Sequence, residues 1–340
     1  HTLYVSGNLD ASKLVARLGQ TDVPESTLAW TVRLLFEEKS LTTDALAALL
    51  KRAQETKSQP VRLALASGLQ RLSLDKRGDM LAALLQHTND AGDQNLPLMY
   101  WYALEPMVAV NAKRALDLAA QSKNTLLIQY TARRMGAEGL PAMVDLLQQS
   151  ADNDVQRAVL RGMSDMLKGR NDIAVPPAWS AYSVKSAAGG DVEIRGLSQS
   201  ISAAFGDAGS IDALKAILAN TKAPLKDRRE ALDALLDAKA PKLVPVVQQL
   251  LGDADLRGRA LSALGLFDDA HTPKLILAIY PKLDINEKRD ALSTLSARLE
   301  YAKVLLDALQ KKTIPSSDLN AFLVRQLESL TFHDMNEWIK

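Results

Sequence analysis

Histidine is the side chain most often used for proton transfer and metal ligation near neutral pH. This chain has four, His1, His87, His271 and His333. They stand in different parts of the sequence or at its ends, and none has a second histidine three or four residues away. Surface or turn positions account for them, with His1 read as a tag remnant. Cysteine is absent, which excludes disulfides, thiol catalysis, iron–sulfur ligation and covalent c-type haem within this chain. Gly189 and Gly190 form a lone pair without the Lys-Ser/Thr of a phosphate loop. No serine lies in a nucleophile-elbow pattern, and the carboxylates are scattered as solvated helix faces require. No enzymatic chemistry, cofactor or metal is therefore expected in this chain.

Two other features carry weight. Arg229, Arg259 and Arg289 recur 30 residues apart, each soon followed by an Ala-Leu pair. Looser copies start at Arg195, Arg157 and Arg62. One reading is a stripe of positive charge for phosphate or an acidic partner. The other is a structural ladder, each arginine tied to an acid of its own or the neighbouring repeat. The nearby acids favour the second: Asp191 with Arg195 and Asp255 with Arg259 have the i,i+4 spacing of helical ion pairs.

The second feature is the stretch from Asn95 to Val110, with Tyr100, Trp101 and Tyr102 side by side and Glu105 as its one charge after Leu96. Asn95 is placed to cap a helix, and Pro97 fits its first turn because the missing amide has no partner there. Pro106 lacks the amide that would reach Tyr102, so the helix is expected to end or kink near it. Leu98, Trp101, Tyr102 and Glu105 share one face. They are either packed inside, with Glu105 paired, or an aromatic patch on which another domain docks.

The elements that must position these residues are helical. Hydrophobic residues make up 47% and charged residues 24% of the 340, normal for a folded domain, while aromatics are only 5%. Ala and Leu, both strong helix formers, carry the apolar load. The charge nearly balances, 41 basic against 40 acidic, so no dedicated nucleic-acid binder is indicated. No stretch reaches the roughly 18 apolar residues of a membrane helix. The chain opens at His1 without an initiating Met or a signal peptide and reads as a piece of something longer.

Helix follows short polar turn follows helix. Stretches near 10–18, from 24 through Leu35, 43–56 and 61–72 are predicted helical, then 76–88, 95–109, 111–122, 125–136, 138–150 and 154–168. The rhythm resumes over 176–188, 192–205, 210–220, 225–238 and 241–251. It continues over 255–266, 272–282, 286–299, 301–312 and 316–330. Asp154, Asp191, Asp255 and Asn286 are expected as N-caps. Leu256, Ala260, Leu264 and Phe267 form one buried stripe. Leu243, Val246, Val247, Leu250 and Leu251 form that of a partner helix. A period of 30 to 40 residues built from helix pairs predicts an all-α right-handed α-solenoid of HEAT-like, or armadillo-like, repeats. Residues 1–170 and 171–340 are expected as two halves of one continuous solenoid, the loop at Gly169–Pro177 being the best internal boundary. Ser316 is placed to cap the last full helix, and 332–340 reads as part of a further one.

Asn95-Leu96-Pro97-Leu98-Met99-Tyr100-Trp101-Tyr102 with Glu105-Pro106 resembles a segment of large multidomain bacterial proteins, as does Leu305-Leu306-Asp307-Ala308-Leu309 leading into Ile314-Pro315-Ser316-Ser317-Asp318-Leu319. These are the planctomycete-type, or PVC-type, haem-binding proteins, also called membrane-bound dehydrogenase domain proteins. Arg325-Gln326-Leu327 with Ser329-Leu330 extends the second match. In that family a β-propeller resembling sugar dehydrogenases precedes a HEAT-repeat region, and a c-type cytochrome domain closes the chain. The resemblance covers roughly Thr21 to the end and implies the HEAT region alone. The family's haem ligands and dehydrogenase residues have no counterparts here. What it implies is a non-catalytic scaffold within an exported, periplasmic or extracytoplasmic protein linked to electron transfer, the c-type haem lying in a separate downstream domain. Its partners would be neighbouring domains of the same polypeptide or another protein. A free-standing protein-interaction solenoid and a HEAT-like nucleic-acid binder or DNA glycosylase are the alternatives.

Overall fold

The computed structural model describes residues 10–38, 40–122, 124–170 and 172–330. Among them are twenty α-helices, short 3-10 turns and no strand. The helices are α1 (Ala11–Leu18), α2 (Glu25–Glu37), α3 (Thr43–Glu55), α4 (Gln59–Leu69), α5 (Gly78–Leu85), α6 (Leu96–Val110) and α7 (Ala112–Gln121). Next come α8 (Thr125–Met135), α9 (Leu140–Gln149), α10 (Asn153–Leu167), α11 (Trp179–Ala188), α12 (Val192–Ala204), α13 (Ala208–Ala219) and α14 (Leu225–Asp237). The last six are α15 (Leu243–Gln249), α16 (Arg257–Leu264), α17 (Thr272–Ile279), α18 (Ile285–Leu295), α19 (Leu299–Gln310) and α20 (Ala321–Leu330). No described helix is long and apolar enough to cross a membrane.

The chain divides into two compact units. One runs through Lys168 and adds Asp172–Phe205; the other takes Gly169, Arg170 and the residues from Gly206 onward. In the first unit α2, α4, α6, α8, α10 and α12 pack in succession as one layer. Behind them α1, α3, α5 and α7 pack in sequence, and α9 packs on α11. In the second unit α16 packs on α18 and α17 on α19, while α13 pairs with α14, α15 with α16 and α18 with α19. This is the α-solenoid plan, in which each helix pair has too little core of its own and stacking completes it.

The apolar periodicity falls largely where the sequence puts it. Leu28, Val32 and Leu35 of α2 are buried, as are Leu256, Ala260 and Leu264 at α16 and Leu243, Val247, Leu250 and Leu251 at α15; Val246 and Phe267, expected in the same stripes, are only half-buried. Burying one such side chain contributes about 1.5–3 kcal/mol.

The details of the ends differ from expectation, each for a local reason. Two N-caps sit two residues earlier than predicted: Asp152 accepts from the Asp154 amide, and Asp284 from the Asn286 and Glu287 amides. Asp255 does not cap α16 either; its N-cap is Leu256, with no side-chain bond, and Asp253 accepts from the Asp255 amide in the turn before it. Glu287 returns a bond to the Asp284 amide, closing a capping box. Asp191 caps α12 as expected, through the Ile194 amide. Asn95 makes no side-chain cap; Asp93 accepts from the Asn95 and Leu96 amides in its place. Ser316 lies in a 3-10 turn, and Asn320 caps α20 through the Phe322 and Leu323 amides.

Pro106 does not end α6. The helix continues to Val110, and the Asn111 amide still reaches the Met107 carbonyl at 2.8 Å. Burial of Leu104, Met107 and Val108 holds the helix together across the single lost bond.

The loop at Gly169–Pro177, expected as a boundary, leads into a helix pair that belongs to the first unit. Trp179 explains this. Its indole N–H donates to Ser202 Oγ at 3.0 Å, and its ring packs against Tyr182 and Phe205. Gln148 of α9 donates to the Ala178 carbonyl. Asn171, His1, His333 and the 332–340 segment lie outside the described residues.

Candidate interaction surface

The basic residues that structure the repeats are found by counting from the helix starts. Arg62, Arg228, Arg195 and Lys288 are each the fourth residue of their helix, in α4, α14, α12 and α18. Gln156 holds that place in α10. Arg257 follows Asp253 by four residues and donates its amide to the Asp253 carbonyl at 2.8 Å. A long donor at this place points back toward the N-terminal end and meets the chain leaving the preceding helix. Thus Arg62 donates to the Thr56 carbonyl, Arg195 to Gly189, Arg257 to Leu251 and the Gln156 amide to Ser150, each six residues back. Arg228 reaches the Leu218 carbonyl across a longer loop.

The same side chains reach forward to an acid near the start of the next repeat. Arg62 pairs with Asp90, Arg228 with Asp253, Arg257 with Glu287 and Lys288 with Asp318. In α10 the task is divided: Gln156 takes the carbonyl and its neighbour Arg157 takes Asp191. One side chain therefore joins the exit of one helix to the entrance of another. The guanidinium suits this, because its donors diverge in a fixed plane. At Asp191 the Ile194 amide, followed by the Arg157 charge, holds the carboxyl below its usual range.

The most enclosed cross-tie lies beneath the aromatic stretch. Asp90 accepts from Arg62 Nε at 2.7 Å and Nη2 at 2.5 Å, and from the Tyr100 hydroxyl at 2.7 Å. Asp90 is 1% and Arg62 5% exposed. Burial, and then the bond to Asp90, push the Tyr100 hydroxyl well above its ordinary pKa. The bond to Asp90 raises that of Arg62. The three groups are enclosed together and serve packing.

Four of the sequence-selected arginines stand elsewhere. Arg195 bonds the Gly189 carbonyl and not Asp191, which belongs to Arg157. Arg259 pairs with Asp233 of α14 and not Asp255. Arg229 and Arg289 are exposed and form no ion pair among the described residues. In α14, α16 and α18 the Arg-x-Ala-Leu pattern selected the outward neighbour of the helix-start cation, whereas its looser copies fell on Arg62, Arg157 and Arg195 themselves. Arg229 follows Arg228, Arg259 follows Arg257 by two, and Arg289 follows Lys288. The spacing from the N-cap was the signal that finds the right ones.

The three remaining selected residues do come together. On α6, Tyr100, Ala103, Leu104 and Met107 face inward. Leu98 and Tyr102 are exposed, Tyr102 at 47%, while Trp101 and Glu105 on the same face are half-buried, Trp101 packing on the core's edge. Trp101 is half-buried and meets Tyr130 of α8 edge-on, with centroids 5.5 Å apart. One turn on, Glu105 pairs with Arg134 at 2.5 Å. Both contacts span 29 residues, as does that of Gln70 with Met99. The result is a firmly backed, partly exposed aromatic strip across α6 and α8, closed at one end by an ion pair. Such a strip buries large rigid side chains against a partner at small cost in entropy.

His87 Nε2 lies 3.2 Å from the Ala53 carbonyl, and His271 sits at the start of α17. Among the described residues, no group of three or more His, Asp or Glu could hold a metal ion. No family model matches the chain, and no curated protein matches it.

Proposed function

We propose that this chain is a non-catalytic scaffold of helical repeats that docks other protein domains through the strip formed by Leu98, Trp101, Tyr102 and Tyr130. The observation that carries this reading is the division of labour between side chains. The buried cations are engaged by carbonyls and acids of their own chain, which argues against a phosphate-binding stripe. Tyr102 of α6 faces outward, and Trp101 beside it is half-buried against Tyr130 on a rigid backing. The resemblance described above supports a fuller assignment. The docked bodies are a dehydrogenase-like β-propeller and a c-type cytochrome domain of one exported, periplasmic or extracytoplasmic protein, which the repeats hold in register for electron transfer.

The test is binding of the separately produced propeller and cytochrome domains to this chain, with Tyr102→Ala and Trp101→Ala as probes. Tyr102→Ala is expected to weaken docking by about 2 kcal/mol, roughly thirtyfold, while leaving the melting temperature within a degree or two. If Trp101→Ala and Tyr102→Ala lower only the melting temperature and docking persists, the strip is packing and the proposal falls. A salt-sensitive shift with duplex DNA would favour nucleic-acid binding, and a stoichiometric Soret band in the purified chain would contradict the absence of haem from it.

A further inference from the structure

Ion pairs bridge neighbouring helices of the stack at several levels. Glu37 and Arg71 join the ends of α2 and α4, Glu105 and Arg134 join α6 and α8, and Arg161 and Glu193 join α10 and α12. Asp233 and Arg259 do the same for α14 and α16. Between α16 and α18 the ion pair is Arg257 with Glu287 at the helix starts, and the next turn of α18 carries a carboxylate outside any such pair among the described residues. Asp290 of α18 faces Gly258, its Oδ2 lying 3.3 Å from where a Cβ would stand. Asp290 has Ser262 as a hydrogen-bonding neighbour and Arg289 nearby, but forms no ion pair among the described residues, and burial holds its carboxyl above the usual range. On the other side of α16, Arg229 of α14 is exposed and also makes no ion pair or hydrogen bond among the described residues.

Arg229 and Asp290 line the same open groove of about 570 Å³, and its apolar surface comes from Leu236, Ala263 and Leu266. Leu266 is 66% exposed, a large apolar side chain left in water. The exposed Arg229, an apolar stripe and the carboxylates Asp290 and Asp255 thus share one groove, which Arg259, paired with Asp233, also lines. A phosphate or nucleic acid would meet the carboxylates, and a purely apolar ligand would leave these charges desolvated without a partner. A helix with an apolar seam and opposite charges on its two flanks satisfies all three.

We infer that the groove across α14, α16 and α18 binds an amphipathic helix of a protein partner. Its acidic flank pairs with Arg229, its basic flank with Asp290, and its apolar side chain seats between Leu236 and Leu266. The inference rests on the scaffold reading, but its surface lies in the second unit, whereas the α6–α8 strip lies in the first.

The experiment is selection of a displayed library of helical peptides, with randomised flanks around a Leu seam, on the intact chain. The enriched peptides are then measured against Arg229→Glu, Leu266→Lys and Tyr102→Ala. The first two positions are exposed, so the variants keep the fold, which circular dichroism checks. The expected peptides carry acid on one flank and base on the other. They lose about tenfold or more in affinity with Arg229→Glu and regain it when the peptide acid becomes Lys. They lose binding with Leu266→Lys and keep it with Tyr102→Ala. No enrichment, or enriched peptides indifferent to Arg229→Glu and Leu266→Lys, overturns the inference. Tyr102→Ala abolishing domain docking while these peptides fail shows that the scaffold reading stands without this groove.

Discussion

Asp90→Ala is expected to lower the free energy of unfolding of the first unit by about 3–5 kcal/mol, read as a shifted urea midpoint at unchanged slope. The loss is large because the substitution strands other groups. Asp90 accepts from Arg62 twice and from Tyr100 once. Without it the Arg62 guanidinium, 5% exposed, keeps only the Thr56 carbonyl, and the Tyr100 hydroxyl has no acceptor. An uncompensated buried charge costs far more than a broken surface pair, which is worth about 0–1 kcal/mol. Removing the cation as well, as Arg62→Met with Asp90→Leu, is expected to recover much of the loss. A double variant as unstable as Asp90→Ala would mean that cavity formation, and not the orphaned charge, dominates.

The second large effect concerns how closely α8 and α10 approach. A Cβ at Gly162 would lie 2.5 Å from the Gln129 carbonyl oxygen, 2.6 Å from Ala132 Cβ and 3.1 Å from the Arg133 amide nitrogen. Two of these three are backbone atoms, so the helices themselves must separate. Gly162→Ala should cost about 3 kcal/mol in overpacking, less about 1 kcal/mol gained in helix propensity, for a net loss near 2 kcal/mol. Gly196, in the middle of α12, has no atom within 4 Å of its Cβ position. Gly196→Ala should therefore stabilise by about 0.5–1 kcal/mol. The same substitution in two helices of one layer thus has opposite signs, and thermal melts of the two variants check it. Equal effects would show that α8 and α10 are not in close contact at Gly162.

Helix number and placement were legible because each helix carries its own apolar stripe and is punctuated by short polar turns. Ala and Leu periodicity identifies a helix without any knowledge of its neighbours. Side-chain partners were not legible in the same way. Asp255 and Arg259 have ideal spacing for a pair on one helix, yet Arg259 turns to Asp233 on the helix beside it. Spacing within a helix cannot rank a neighbour that lies 26 residues away. The capping acids were misplaced for a related reason. Asp152 and Asp284 each stand two residues before another plausible cap, and the turn geometry chooses between them.

The aromatic strip was half legible. The sequence shows which residues of α6 share a face, but Tyr100 and Tyr102 are both tyrosines in an apolar run. Which of them turns inward is decided by Asp90 and Arg62, supplied from outside α6. Pro106 misled because one lost hydrogen bond was weighed without the burial of Leu104 before the break and Met107 and Val108 after it.

The central claim is that buried cations at a fixed place after the helix start tie the repeats together, while their exposed neighbours Arg229 and Arg289, also picked out by the 30-residue alignment, do not. Arg228 and Arg229 are adjacent residues of one type in one helix, which makes them the most direct comparison. Arg228 is 4% exposed and joins Leu218 to Asp253; Arg229 is exposed and makes neither contact. Urea unfolding of Arg228→Ala and Arg229→Ala, measured side by side, should show a loss of about 2–4 kcal/mol for the first and a change within about 0.5 kcal/mol for the second. Equal losses, or a larger loss for Arg229→Ala, would contradict the account.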